Sequence, residues 1–306
     1  MHELLKDATA GDPITGLKWT HKTVRSLTRQ LRRRGFRVGR ETVRRLLLRL
    51  RYTLRVNRKR KSRRQVPDRD RQMRYLTRQR RARLQAKQPI ISVDTKKKEL
   101  VGNFKNPGRT WRRTPLEVLA TDFASDAQGK AIPYGIYDLA QNTGFVVVGT
   151  SHETAAFAVR AIRWWWLVLG QPQYPAATHL TIEADGGGAN GSRSWLWKAE
   201  LQKLADEFHL TISVSHLPPG ASKWNLADHR LFCHISRNWA GQPLIDYETI
   251  LKFIRTTKTE NGLRCRARLD RRVYPLSVKL SPEEKAKINL IRHRVLPQWN
   301  YTIKPH

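Results

Sequence analysis

The sequence predicts an α/β fold, a mixed sheet flanked by helices and preceded by a small all-α basic region. Three observations predict it. Basic residues crowd the first 90 positions, with 29 Lys and Arg against 6 Asp and Glu, whereas residues 91–306 hold 30 against 19. Amphipathic helical patterns fill the first part, and apolar runs of strand length alternating with helical patterns fill the second. Hydrophobic residues make up 39% of the 306, enough for a real core, which excludes a disordered chain.

In the basic part, Leu17 to Gly35 reads as a helix that Thr20 can cap, with Val24, Leu27 and Leu31 on one face and Gly35 suited to the left-handed position that ends it. A second helix follows from about Arg40. Val43, Leu46, Leu47 and Leu50 form its apolar face, and Arg40, Arg44, Arg45 and Arg49 project elsewhere. Two short helices with a glycine-containing link suggest a helix-turn-helix whose second helix reads DNA; the competing reading is a basic hairpin with merely solvated arginines. The dense run RVNRKRKSRR, with Arg58, Lys59, Arg60, Lys61, Arg63 and Arg64, is suited to tracking phosphates. Asp68 can cap a further helix through about Ala86, with Met73, Leu76 and Leu84 on its face. The expected division is residues 1–54 as the helix-turn-helix region, 55–89 as basic linker and helix, and 90–306 as the main body.

From Ile90 the pattern changes. Ile90 to Asp94 reads as a buried strand ending in a carboxylate, and Gly102 to Pro133 as an irregular insertion. Gly135 to Asp138 and Gly144 to Gly149 read as a hairpin around Asn142-Thr143-Gly144. A helix from Thr154 to Leu169 carries Trp164, Trp165 and Trp166, read as packing residues. Then come a strand Leu180 to Ala184, a helix Ser194 to Phe208, a strand Leu210 to Ser215, and a helix starting at Leu226. This order, an antiparallel start followed by strands alternating with helices, matches the RNase H-like arrangement.

Composition narrows the function. A net charge of +34 implies a polyanionic partner, most simply nucleic acid. Two cysteines, Cys233 and Cys265, supply neither a disulfide framework nor a zinc ligand set, and are read as buried and inert. With no apolar run of about 18 residues and no signal-peptide layout at Met1 to Leu5, the expected location is cytoplasmic and nucleoid-associated.

Three carboxylates fall at suggestive places: Asp94 at the end of the first strand, Asp185 at the end of the fourth, and Asp228 near the start of a late helix. In an RNase H-like sheet the first and fourth strands are neighbours, so their carboxyl ends meet. Such a cluster suits Mg²⁺ or Mn²⁺, and two ions about 3.5–4 Å apart can drive phosphoryl transfer on DNA. Each acid also has a plain reading, as a turn residue or a surface ion pair, and Glu183, Asp122 and Asp138 compete for the roles. Lys96, Lys97 and Lys98 beside Asp94 are candidates for phosphate contact, and Lys223, Trp224 and Asn225 are candidates to hold a flipped base or strand end of DNA near the acid at position 228. Trp224 is equally a core anchor or a base contact. His216, His229 and His234 read as structural.

Five segments carry a resemblance: Ser92 to Phe104, Lys130 to Gly135, Ala184 to Arg193, Pro218 to Asn225, and Trp299 to Ile303. They resemble the ISAzo-type insertion-sequence transposases. The resemblance implies a DDE transposase with a retroviral-integrase-like core. It further implies Asp94, Asp185 and the acid at position 228 as catalytic metal ligands, two divalent ions, element ends and target DNA as double-stranded partners, and a homo-oligomeric synapse. The family typically has glutamate where this chain has Asp228, one methylene shorter, although three-aspartate sites work in mariner-like relatives. Its N-terminal DNA-binding region is usually longer, so a truncated, catalytically weak or inactive DNA-binding remnant is the alternative expectation.

Overall fold

The computed structural model describes residues 9–11, 18–20, 22–54 and 66–306. The chain divides into two compact units, Met1–Arg63 and Arg64–His306.

In the first unit, strands β1 (Thr9–Gly11) and β2 (Lys18–Thr20) pair antiparallel. They are followed by helices α1 (Val24–Arg33) and α2 (Arg40–Arg49). The first helix starts later than the pattern predicts. Thr20 closes a strand, and Thr23 caps the helix by accepting the Ser26 N–H at 3.1 Å. The cap is therefore set by a threonine three residues before a free N–H, which the apolar spacing alone did not distinguish. Gly35, at φ +85°, ends the helix as expected. Leu27, Leu31 and Val43 are buried between the two helices, with Leu47 and Leu50 packed against them. Arg40, Arg44, Arg45 and Arg49 are exposed, and Arg44 is paired with Glu41 at 2.6 Å. Arg58, Lys59, Arg60, Lys61, Arg63 and Arg64 lie outside the described residues.

The second unit opens with α3 (Arg69–Gln85). The large sheet is formed by β3 (Ile90–Thr95), β4 (Glu99–Val101), β5 (Gly129–Asp138), β6 (Thr143–Gly149), β7 (His179–Ala184), β8 (Thr211–His216), β9 (Arg264–Asp270), β10 (Leu290–Arg292) and β11 (Asn300–Ile303). Its order is β10-β11-β8-β7-β3-β5-β6-β9, with β4 paired to β5. β3, β5 and β6 run antiparallel in turn, and β7 and β8 lie parallel on the other side of β3. This is the RNase H-like arrangement, extended by β9 at one edge and by β11 and β10 at the other.

Alternation along the strands gives the sheet two faces. Ile91, Val93, Tyr134, Ile136, Ile182 and Val214 pack on one face against α4 (Ala155–Trp165) and α5 (Trp195–Phe208), and Trp164, Trp165 and Trp166 are buried there as expected. Val146 and Val148 pack on the other face against Leu231, Phe232 and Ile235, carried by a wide turn Asp228–Phe232 and α6 (Cys233–Asn238), and against α7 (Tyr247–Arg255).

Two differences from the sequence reading concern the start of β5 and the buried face of α3. β5 begins at Gly129 and runs through Pro133. Proline is tolerated because its carbonyl accepts the Lys96 N–H at 2.9 Å, so its nitrogen faces the gap between β3 and β4, where no ladder bond is required. α3 buries Gln72, Tyr75 and Leu76, whereas Leu84 is exposed. Gln72 and Asn300 exchange amide hydrogen bonds at 2.7 and 2.8 Å, which fixes α3 to the sheet.

Candidate active site

The site lies at the carboxyl ends of the parallel strands β3 and β7, where open α/β sheets place ligands. Val93 and Ala184 are register partners, so Asp94 and Asp185 leave the sheet side by side. Both are half-buried.

Each acid is held by a buried asparagine. Asn225 donates from Nδ2 to Asp94 Oδ2 at 2.8 Å, while its own Oδ1 accepts from Ser92 Oγ at 2.9 Å and the Ala227 N–H at 3.1 Å. The other Asp94 oxygen accepts the Thr95 N–H at 2.8 Å. Asn190, in the turn after the glycine run, bonds Asp185 and accepts the Tyr134 hydroxyl proton at 2.7 Å. The Asp185 carbonyl is bonded to His216 Nδ1 at 2.9 Å, and His216 Nε2 lies 3.2 Å from the Tyr301 hydroxyl, which also accepts from Trp197. His216 is fully buried, and burial lowers its pKa to about 4, so it is a neutral positioning group.

The third acid arrives with the wide turn that starts at Asp228. Two glycines admit this turn to the sheet. A Cβ at Gly135 would stand 2.5 Å from Phe232 Cζ, and one at Gly144 would stand 2.3 Å from Leu231 Cδ1. Gly135 is the register partner of Asp94, so the opening lies directly beside the first acid. Asp228 itself is exposed.

The electrostatics record crowded negative charge. Asp94 is pushed up to about 7, first by burial, then by Asp185, with smaller pushes from Asp228 and Glu153 and opposition from the Thr95 N–H. Burial also raises Asp185, against hydrogen bonds from Gly187 and Asn190. Hard oxygen donors with mutual repulsion suit a divalent cation. Among the described residues, however, no three His, Cys, Asp or Glu side chains are drawn together as a closed metal cage.

The competing acids have other partners. Glu183 is buried and forms a forked pair with Arg80 of α3, at 2.6 and 2.5 Å. Its alternation puts it on the face that α3 covers. Asp138 accepts from Ala140, Gln141 and Tyr174, at the far end of β5. Asp122 is exposed in the insertion.

Of the lysines, Lys96 pairs with Glu99 and lies 4.8 Å over the Trp239 ring. Lys97 is exposed, and Lys98 pairs with Glu153 at 3.6 Å. Lys223 lies 4.1 Å over the ring of Trp224, which is 39% exposed and so is not a core anchor. Cys265 is buried, but Cys233 is only half-buried.

Asn190, Tyr301 and Glu153 were not singled out from sequence; His216 was read as structural, which its buried contacts bear out, and Asn225 was read as a base or strand-end contact, whereas it is buried and holds Asp94. Asn225 and Asn190 do lie inside the segments that carry the resemblance, next to the acids they hold.

The family model of the Rhodopirellula transposase DDE domain matches residues 1–305. The chain belongs to this transposase family. No curated protein matches it. Among solved structures, it is similar to the Mos1 transposase paired-end complex with left transposon end, at 16% identity and a TM-score of 0.45 over 82% of this chain and 68% of that one. It is also similar to the mariner Mos1 paired end complex with Mg, at 16% identity and a TM-score of 0.48, with the same two coverages. Likeness this distant transfers no residue roles.

Among the described residues no helix of this DDE-family chain is long and apolar enough to cross a membrane.

Proposed function

We propose that the chain binds the ends of its own insertion sequence and performs metal-dependent DNA cleavage and strand transfer, with Asp94, Asp185 and Asp228 as the acids. The observation that carries this reading is the placement of Asp94 and Asp185 at the ends of adjacent parallel strands, each held by a buried asparagine.

Asp94, Asp185 and Asp228 would hold the divalent ions, Mg²⁺ or Mn²⁺, two being expected. When bound, such ions activate the attacking oxygen and stabilise the leaving one in an in-line displacement. The chain's own part is positioning. Asn225 and Asn190 fix the first two carboxylates, and the Asp228 turn adds the third. Lys97 and Lys223 lie exposed near the acids, where they can meet DNA phosphate. The freed 3′-hydroxyl would attack target DNA in the same site. The exposed arginines of α2 and the basic run after it would hold the ends, and a homo-oligomer would bring two ends together. Nucleoid association follows from such binding.

The test is cleavage of a labelled duplex of the element's terminal sequence by the full chain with Mg²⁺ or Mn²⁺. Cleavage by the wild type, with Asp94→Ala and Asp185→Ala binding the duplex but not cutting it, is the expected result. Equal cleavage by the variants would refute the assignment.

One observation favours the second reading, a catalytically weak remnant. Asp228 is the shorter acid and stands exposed, outside any closed cage among the described residues. Binding without cleavage in the wild type would select it.

A further inference from the structure

The loop that follows Asp185 has little support of its own. Gly186, Gly187 and Gly188 succeed one another, and a Cβ on either of the first two would meet nothing nearer than 3.8 Å. Gly188 stands at φ +57°. Three glycines in a row leave a backbone many conformations. The same loop carries Asn190, which bonds the Asp185 carboxylate, so any drift of the loop moves the second acid and its support together. Tyr134 holds Asn190 from the side, but the two ends of the loop need support of their own.

Buried groups supply it, one set at each end. At the start, the Asp185 carbonyl accepts from His216 Nδ1 at 2.9 Å. His216 is neutral, so its Nε2 carries no proton and accepts from the Tyr301 hydroxyl at 3.2 Å, while the Trp197 indole N–H donates to Tyr301 at 2.9 Å. These bonds all run one way, toward Asp185. At the far end, Lys198 of α5 donates to the Ser192 carbonyl at 2.6 Å and to the Ser194 carbonyl at 3.3 Å. Its ammonium also lies 5.2 Å from the centre of the Tyr301 ring and 5.3 Å from that of Trp195. Tyr301 therefore joins the two ends: its hydroxyl serves Asp185, and its ring serves Lys198.

Lys198 is an unfavourable residue to bury there. It is 3% exposed and pairs with no carboxylate among the described residues. Burial lowers its pKa to about 8, so it is still charged at neutral pH. A buried ammonium without an acid opposes folding, and methionine would fill the same space without that penalty. What the ammonium supplies, and methionine cannot, is a hold on the loop. We propose that Lys198 and Tyr301 are positioning residues for Asp185, fixing the two ends of loop 186–194 so that the second acid meets a divalent cation at one set place. The proposal rests on the reading of Asp185 as a metal ligand. Groups that orient a ligand without touching the metal typically govern metal affinity by roughly 10–100-fold.

The experiment uses the full chain without DNA, first in chelator and then over a Mn²⁺ series, and reads the melting temperature. The Mn²⁺ concentration at the midpoint of the rise reports the affinity of the acids. Lys198→Met and Tyr301→Phe should each move that midpoint upward by about tenfold. Lys203→Met removes an exposed lysine of the same helix and should leave it unchanged. A merely structural role predicts a lower melting temperature in chelator with the wild-type midpoint. That result in Lys198→Met would overturn the proposal. Should Lys198→Met fail to fold, a wild-type midpoint in Tyr301→Phe would overturn it equally. Cleavage of the end duplex gives a second readout: the Mn²⁺ needed for half-maximal rate should rise by the same factor in both variants, with end binding unchanged. A wild type whose melting does not respond to Mn²⁺ would instead strike the metal-site reading itself, so the two failures are distinguishable.

Discussion

Asn225 holds Asp94: its amide donates to one carboxylate oxygen at 2.8 Å while its own oxygen accepts from Ser92 and from the backbone of Ala227. A residue fixed on both sides ties the first strand to the segment that delivers the third acid. Asn225→Ala removes that tie and leaves the Ser92 hydroxyl without its acceptor in a buried setting, at a cost of about 1–3 kcal/mol. Because a displacement of about 1 Å can cost on the order of 100-fold in rate, cleavage should fall by a similar factor while end binding is unchanged. Thermal melting, gel-shift and cleavage assays on one preparation check the three effects; unaltered cleavage would show that Asp94 needs no support.

Gly135 stands opposite Asp94 and admits Phe232 to the sheet. Gly135→Val fills that space. Phe232 is buried, so it cannot swing aside, and overpacking of this kind costs about 1–3 kcal/mol. The Asp228 turn should be pushed outward. A lower melting temperature with cleavage lost more completely than DNA binding is expected. A variant with wild-type melting and cleavage would show that the turn tolerates a side chain there.

Asp94 makes metal-free stability depend on pH. Its pKa in the fold is about 7, above the ordinary 3.8, so the folded protein holds this proton more tightly than the unfolded chain. The resulting stability is fully present below about pH 4 and is lost as pH rises through about 7. Asp94→Asn removes the titration. The melting temperature of Asp94→Asn minus that of wild type, measured in chelator, should grow from pH 4 to 7 and then level off. Adding Mn²⁺ should raise the wild-type melting temperature but not that of the variant. A difference flat with pH would mean that burial and the neighbouring acids do not hold the Asp94 proton.

The basic first unit should bind DNA through phosphates. Each neutralised phosphate contributes about −0.9 to the slope of log K against log salt. Replacing Arg40, Arg45 and Arg49 together with glutamine should make the slope of the full chain shallower by about 2–3. An unchanged slope would return these exposed side chains to the role of a solvated helix face.

The placement of Asp94 and Asp185 at the ends of adjacent strands was legible in sequence because each strand end is a short-range signal. Ile90 to Asp94 and Leu180 to Ala184 are apolar runs ended by a carboxylate, and a carboxylate at a strand end is visible without knowing what packs on it. Glu183 was ambiguous for the converse reason. Alternation does put it on one face, but only the docking of Arg80, over 100 positions earlier, shows that the face is covered. The late start of α1 depended on which of two threonines finds a free N–H. Gly135 and Gly144 read as hairpin residues, whereas their larger consequence is the close approach of Phe232 and Leu231 from a distant segment. β10 and β11 went unread because they are only three and four residues long, whereas β9 was missed although Cys265, Ala267 and Leu269 alternate with arginines in it.

The central claim is that Asp228 completes a working site with Asp94 and Asp185. The most direct measurement is the Mg²⁺-dependent cleavage rate of the element's end duplex by wild type, Asp228→Ala and Asp228→Glu at equal DNA occupancy. The account predicts that Asp228→Ala abolishes cleavage without loss of binding, and that Asp228→Glu shifts the rate by on the order of 100-fold, since the added methylene moves the carboxylate by about 1 Å. A measurably active wild type whose rate is the same in both variants would contradict it.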